Sequence, residues 1–254
     1  MAKISLKKGI LDVVLYIIVF IVAQLVVLYA GAGIWAAVKH EGFQATLQAM
    51  TAGGNPALLA ITTVFSSIIT LVVFLKAKWV VLTRDYLLSK PWFILLWVAL
   101  FTLGAIIPLE FLYEHLGLEM DENTGKLFEG LMTEPWGYVA VGILAPLTEE
   151  IVFRGAILRS LLDMMSKKNH WVAIMISAAM FGLAHGNTAQ FVNALLMGLL
   201  LGWMYYRTKS LVPGILMHWV NNTMAYILAN LVPQSDGKLI DLFGGNEQTV
   251  YYAV

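Results

Sequence analysis

"WVAIMISAAMFGLAHGNTAQFVNALLMGLLLGWMYY", residues 171 to 206, runs for 36 positions without Asp, Glu, Lys or Arg. As one helix it would be about 54 Å long, at about 1.5 Å per residue, against about 30 Å of bilayer hydrocarbon. It must therefore cross twice. The one turn-like break is "GNT" at 186 to 188, which predicts helices over 171–186 and 188–206. Upstream, apolar runs predict spans over 11–38, 57–75 and 91–110. A polar loop with Glu119, Asp121, Glu122, Glu129 and Glu134 follows, and then a fourth span over 137–163. Downstream of "RTKS", a seventh span covers 211–232 and is stopped by Pro233. The expected architecture is an all-α, polytopic transmembrane helix bundle of seven spans. Three spans and the acidic loop occupy 1–134, a polar-bearing core 135–232 and a tail 233–254, together one structural domain.

Composition agrees. Of 254 residues, 59% are hydrophobic and 13% charged, with a mean hydropathy of +0.77, values of an integral membrane protein. Sixteen basic and sixteen acidic residues cancel, which removes the electrostatic case for nucleic acid. Cysteine is absent, so disulfides, thiolate metal sites and cysteine nucleophiles are excluded. Val13 to Val38 carries no charge and exceeds the 7–15 residue core of a signal peptide, so it reads as a retained span. Threading seven spans puts Lys3, Lys7, Lys8, Lys76, Lys78, Arg84, Lys90, Arg159, Lys167, Lys168, Arg207 and Lys209 on one side and Lys39, Lys126 and Lys238 on the other. The positive-inside rule then places the N-terminus in the cytoplasm and the C-terminus outside a plasma membrane. Trp79, Trp92, Trp136, Trp171, Tyr205 and Tyr206 fall near span ends, where amphipathic rings favour the interface.

Against this apolar background "LAPLTEEIVFRG", residues 144 to 155, places Glu149, Glu150 and Arg154 inside a span. A charge at the bilayer centre costs about 2.5–3.5 kcal/mol on insertion scales, so the three need compensation. Glu150 and Arg154 are four apart with the acid on the N-terminal side, the spacing that lets them pair. Glu149 points about 100° away, which leaves one spare carboxylate suited to general acid or base work. The plain alternative is that all three only hold helices together. His185 in "FGLAH" and His218 with Asn222 in "HWVNN" add polar groups to the fifth and seventh spans; each alone would read as an interhelical hydrogen bond. Pro146 removes a helical hydrogen bond three residues before Glu149 and predicts a kink. Gly182, Gly186, Gly198 and Gly202 have GxxxG spacing and predict close helix packing, and Ser177 reads as a small packing residue. Counting from the cytoplasmic ends sets Glu149 and His185 roughly 21 Å deep and His218 roughly 11 Å.

"EEIVFR" from Glu149 to Arg154, "FGLAH" from Phe181 to His185 and "HWVNN" with His218 and Asn222 resemble the three motifs EExxxR, FxxxH and HxxxN of the CPBP family. This family comprises intramembrane proteases related to CAAX prenyl proteases and to bacteriocin-processing and self-immunity proteins, also called lysostaphin resistance protein A-like. The resemblance covers roughly residues 135 to 232 and implies an intramembrane endopeptidase acting on a membrane-embedded or lipidated peptide. It implies that Glu149, backed by His185, holds and deprotonates water, that His218 and Asn222 donate to the oxyanion, and that Glu150 paired to Arg154 positions its helix. Two histidines and one carboxylate, from Glu149, His185 and His218, are also a zinc ligand set, so zinc stands as an alternative, although no HExxH motif is present. A serine triad is weaker, because no intramembrane Ser is paired with a His by a motif. The rival readings are a noncatalytic immunity or scaffold protein that binds a membrane peptide and, third, a proton-coupled transporter.

Overall fold

The structure is a computed structural model; it describes residues 4–118, 120–231 and 239–253. Lys3, Glu119, Val232, Pro233 and Lys238, which entered the charge and boundary readings, lie outside the described residues. Among the described residues every regular element is helical.

Helix α1 (Leu6–Lys39) starts where the Ser5 hydroxyl accepts the Lys8 N–H at 3.3 Å and ends at His40, which turns left-handed at φ 56°. At about 51 Å it exceeds the hydrocarbon thickness, so it tilts or projects from the bilayer. The short α2 (Phe43–Thr51) returns Met50 against Ala32 of α1 and Leu58 of α3 (Pro56–Lys76). Asn55 caps α3 by accepting the Leu58 N–H at 3.2 Å, with Pro56 at the first helical position, where its missing N–H is not needed. A Cβ on Gly31 would lie 2.3 Å from Thr62 Cγ2, so α1 and α3 touch there. After α4 (Asp85–Leu88), α5 (Trp92–His115) exposes Trp92, Phe93, Trp97 and Phe101 and buries only Thr102 among its own residues.

Helix α6 (Glu122–Thr133) falls within the acidic loop. Asp121 caps it, accepting the Thr124 hydroxyl and N–H, and these bonds, the hydroxyl first, hold the Asp121 carboxyl below its usual range. Next comes one continuous helical run of mixed type. It comprises α7 (Pro135–Gly137), a π segment Tyr138–Leu144, α8 (Ala145–Glu149), a second π segment Glu150–Leu158 and α9 (Arg159–Met164). Helices α10 (His170–Leu183), α11 (Thr188–Thr208) and α12 (Val212–Leu231) complete the bundle, and α13 (Leu239–Leu242) and α14 (Glu247–Ala253) follow.

The second π segment is the centre of the molecule: all nine of its residues are buried. Phe153 meets Phe20 of α1 with ring centroids 5.6 Å apart and Phe181 of α10 at 5.1 Å. Ser177 of α10 donates to the Phe153 carbonyl at 2.9 Å, so the small residue both packs and bonds. Three of the four spaced glycines are close-packing points, since a Cβ would meet Phe191 at 2.8 Å from Gly182, Ala178 at 2.9 Å from Gly198, and Ile174 at 3.0 Å from Gly202. Gly186 departs from that expectation. It has open space around it and φ +76°, so it serves the turn between α10 and α11.

Each of the seven stretches expected as spans is helical over most of its described residues. Among the described residues four helices, α1, α3, α5 and α11, are long and apolar enough to cross a membrane. The run from Pro135 changes helix type, α10 has 14 residues, and α12 carries His218, Asn221, Asn222 and Thr223.

Candidate active site

The change of helix type accounts for the first polar contact. In a π segment each N–H seeks the carbonyl five residues back, as Ala145 does with Ala140. The next residue is Pro146, which has no N–H to offer Val141. Asn222 of α12 fills that place, donating Nδ2 to the Val141 oxygen at 2.9 Å. The same face of α12 continues the attachment: Thr223 bonds the Tyr138 hydroxyl at 3.2 Å, Tyr226 donates to the Glu134 carbonyl at 3.3 Å and Asn230 to the Met132 carbonyl at 2.8 Å. Asn222→Ala should therefore lower stability by about 1–2 kcal/mol, because it strands a carbonyl that the helix cannot satisfy. Thermal unfolding in detergent reads this, and an unchanged midpoint would remove the argument.

Arg154 is fully buried and Glu150 is 1% exposed. Arg154 Nη1 donates to Glu150 Oε1 at 2.8 Å and Nη2 to the Gly198 carbonyl at 3.4 Å, so the pairing read from the spacing forms. Glycine at 214 makes room for it: a Cβ there would lie 2.7 Å from Glu150 Oε2. His218, 4% exposed, places Nδ1 at 3.4 Å from Glu150 Oε1 and Nε2 at 3.6 Å from Glu149 Oε2. One imidazole thus faces both glutamates. The depth count had left His218 about two turns shallow. Part of that gap follows from assigning α-helical rise to the π segment between Glu149 and the cytoplasmic end, since a helix closed over five residues rises less per residue.

Phe181 explains the aromatic residue in "FGLAH". Its ring centroid is 4.4 Å from Arg154 Cζ, and its edges meet His185 at 4.9 Å and His218 at 5.8 Å, both near perpendicular. His185 Nδ1 lies 2.9 Å from the Phe181 carbonyl. A carbonyl only accepts, so Nδ1 carries a proton and Nε2 is the ring nitrogen left to face the cavity groups.

Glu149, with 20% of its side chain exposed, His185, His218 and Asn222 line one cavity of about 920 Å³. Helix α6 contributes Leu127, Phe128, Leu131 and Met132 to its wall, and α5 contributes Leu103, Ile106, Ile107 and Glu110. Such a volume takes an extended peptide segment or a lipid-like chain. Glu150 and Arg154 stand behind the wall and not in it. Among the described residues no three His, Asp or Glu side chains gather as a metal-ligand set. Glu149, His185 and His218 as placed therefore do not form the zinc site that their identities allowed.

Sequence reading missed three contributors. Gly198 and Gly214 act through a carbonyl and an absent Cβ, which no motif signals. Glu110 was placed at the end of the third span, whereas α5 runs on to His115 and turns Glu110 into the cavity wall. Polar residues at a span end facing an acidic loop would have been the only clue.

A helical membrane bundle with a buried glutamate–arginine pair and two histidines on a cavity defines a class, and comparison with known proteins shows what that part of the chain is similar to. Residues 131–224 match the family described as type II CAAX prenyl endopeptidase Rce1-like. The chain is 29% identical over 153 residues to a putative membrane peptidase, YdiL, of Bacillus subtilis (strain 168), covering 58% of this chain and 61% of that protein. It is also 29% identical over 150 residues to the membrane-embedded CAAX protease MroQ of Staphylococcus aureus (strain USA300), covering 57% and 60%. The chain spans about three fifths of the length of these curated relatives. No solved structure matches. The segment 131–224, which holds all three motifs, is similar to this Rce1-like family of membrane proteases, in keeping with the CPBP resemblance.

Proposed function

We propose that the chain is an intramembrane endopeptidase of the CPBP type that hydrolyses a peptide bond of a membrane-embedded or lipidated peptide, with Glu149 as the base. The observation that carries this reading is the unequal placement of two adjacent carboxylates. Glu150 is buried and engaged by Arg154 and His218, while Glu149 reaches the cavity with His218 Nε2 3.6 Å away. A separation of that length is one that water can bridge.

In this mechanism Glu149 takes a proton from a water molecule that His185 Nε2 helps to hold by accepting its second hydrogen. The water oxygen adds to the scissile carbonyl carbon. The oxyanion is met by an N–H of His218 and by the second amide hydrogen of Asn222, whose first is given to Val141. Glu149 then returns its proton to the leaving nitrogen as the C–N bond breaks. Arg154, Phe181 and Gly214 position this set. The charge distribution supports a cytoplasmic N-terminus in a plasma membrane.

The test is cleavage of membrane-anchored and prenylated peptides by the purified protein in liposomes, read by mass spectrometry. A new amino terminus within the peptide is the expected product. Saturable binding of the same peptides without any cleavage would sink the protease and favour the scaffold or immunity alternative.

Helix α6 bears on access. Its Phe128 and Leu131 line the cavity while Lys126 and Glu122 pair on the exposed side at 2.5 Å, the arrangement of an amphipathic cover at an interface. Replacing Phe128 with Ala should change KM for long substrates several-fold more than kcat, since it alters entry and not proton transfer. Equal effects on short and long substrates would count against the cover.

A further inference from the structure

Two carboxylates among the described residues line the cavity, Glu149 and Glu110, and no Lys or Arg among them does. Glu149 has His218. Glu110 has no hydrogen-bond or ion-pair partner among the described residues. Its neighbours on α5 are otherwise engaged. Tyr113, three residues on and on the same face, donates its hydroxyl to Asn193 of α11 at 3.0 Å. Glu114, four residues on, accepts the Leu239 N–H. On α5 the wall beside Glu110 carries Ile106 and Ile107, and Asn193, the partner of Tyr113, lines the same cavity. An unpaired carboxylate among such side chains loses hydration without recovering it from the protein. It is held on a fixed turn of α5 by the Tyr113–Asn193 bond and opens onto the same space as the Glu149–His218 pair.

We propose that Glu110 is a specificity-determining residue that binds a cationic group, ammonium or guanidinium, of the peptide lodged in this cavity. The proposal rests on the protease reading for its consequence in catalysis, although the pairing itself needs only that a peptide binds. A cation at Glu110 supplies a counter-charge that no described residue gives. It also fixes one point of the chain relative to Glu149, so a peptide carrying it at the right distance from the scissile bond is held in register.

The test uses the full-length protein in liposomes and a peptide series with one lysine moved along the sequence. Each member is compared with its norleucine counterpart, and each is made with a free and with an acetylated amino terminus, which separates a side-chain cation from a terminal amine. The readout is the ratio of kcat/KM for charged and neutral peptides within each variant, so a partly folded preparation does not distort it. The wild-type protein should favour one charged register by about 10- to 100-fold, and Glu110→Gln should bring that ratio close to one. Glu110→Lys should reverse it in favour of a glutamate at the same register. A ratio near one in the wild type, or one that survives Glu110→Gln, would overturn the proposal. If no peptide is cleaved by any variant, the protease reading fails separately. The same ratios, taken as dissociation constants of the peptides, then decide the role of Glu110.

Discussion

Arg154→Ala should destabilise the protein by about 3–5 kcal/mol, the largest loss of stability expected from any single change to the site. The guanidinium is fully buried, donates to Glu150 and to the Gly198 carbonyl, and lies against the Phe181 ring. Removing it leaves Glu150 with only His218 in an interior that cannot hydrate a charge, and it leaves space between α10, α11 and the second π segment. Thermal unfolding in detergent measures the loss. Adding Glu150→Gln to Arg154→Ala should recover part of it, because an amide does not carry the stranded charge. A wild-type midpoint for Arg154→Ala would show that the ion pair does not hold the core.

Glu149→Gln should reduce kcat by about 10²–10⁴-fold while leaving folding close to wild type. Glutamine occupies the same volume and can still hydrogen-bond to His218, yet it cannot take a proton from water. Glu149 faces the cavity and its side chain is 20% exposed, so the loss of its charge disturbs no buried pair, and insertion into a bilayer is eased by removing a charge. Arg154 and Glu149 thus differ in kind: one change unfolds and the other silences. A Glu149→Gln protein that folds and cleaves at the wild-type rate would remove Glu149 as the base.

These opposite roles show what the sequence makes legible. Charges are rare in hydrocarbon, so Glu149, Glu150 and Arg154 stand out by chemistry alone, and the four-residue spacing states the Glu150–Arg154 pair before any coordinates. The chargeless run from 171 to 206 likewise implies two helices, which α10 and α11 supply close to the expected ends. What the sequence hides follows from the same solvent. Lipid tails are as apolar as a protein core, so the exposed Phe93 and Trp97 of α5 and the buried Phe153 and Phe181 read alike. Periodicity cannot tell which face of a span turns inward.

Helix type is hidden for a different reason. Pro146 announces a missing N–H, but only the i→i+5 register identifies Val141 as the carbonyl left over and Asn222 as its partner. The meeting of His218 with Glu149 at 3.6 Å is hidden in part by the same register, since α-helical counting sets the two about two turns apart in depth. Short elements that lie beside the bundle, such as α2 with its buried Met50, lack both the length and the turn signals that would mark them.

The joint action of Glu149 on the water and His218 on the oxyanion is tested most directly by a double-variant cycle on single-turnover cleavage in liposomes, using Glu149→Gln, His218→Ala and the two combined. Groups that act as one unit lose their joint contribution when either is removed. The double variant should therefore cleave at nearly the same residual rate as the slower single variant. Losses that multiply, so that the double variant is slower by the product of the two single effects, would show that the two side chains act independently and would contradict a single hydrolytic site built from both.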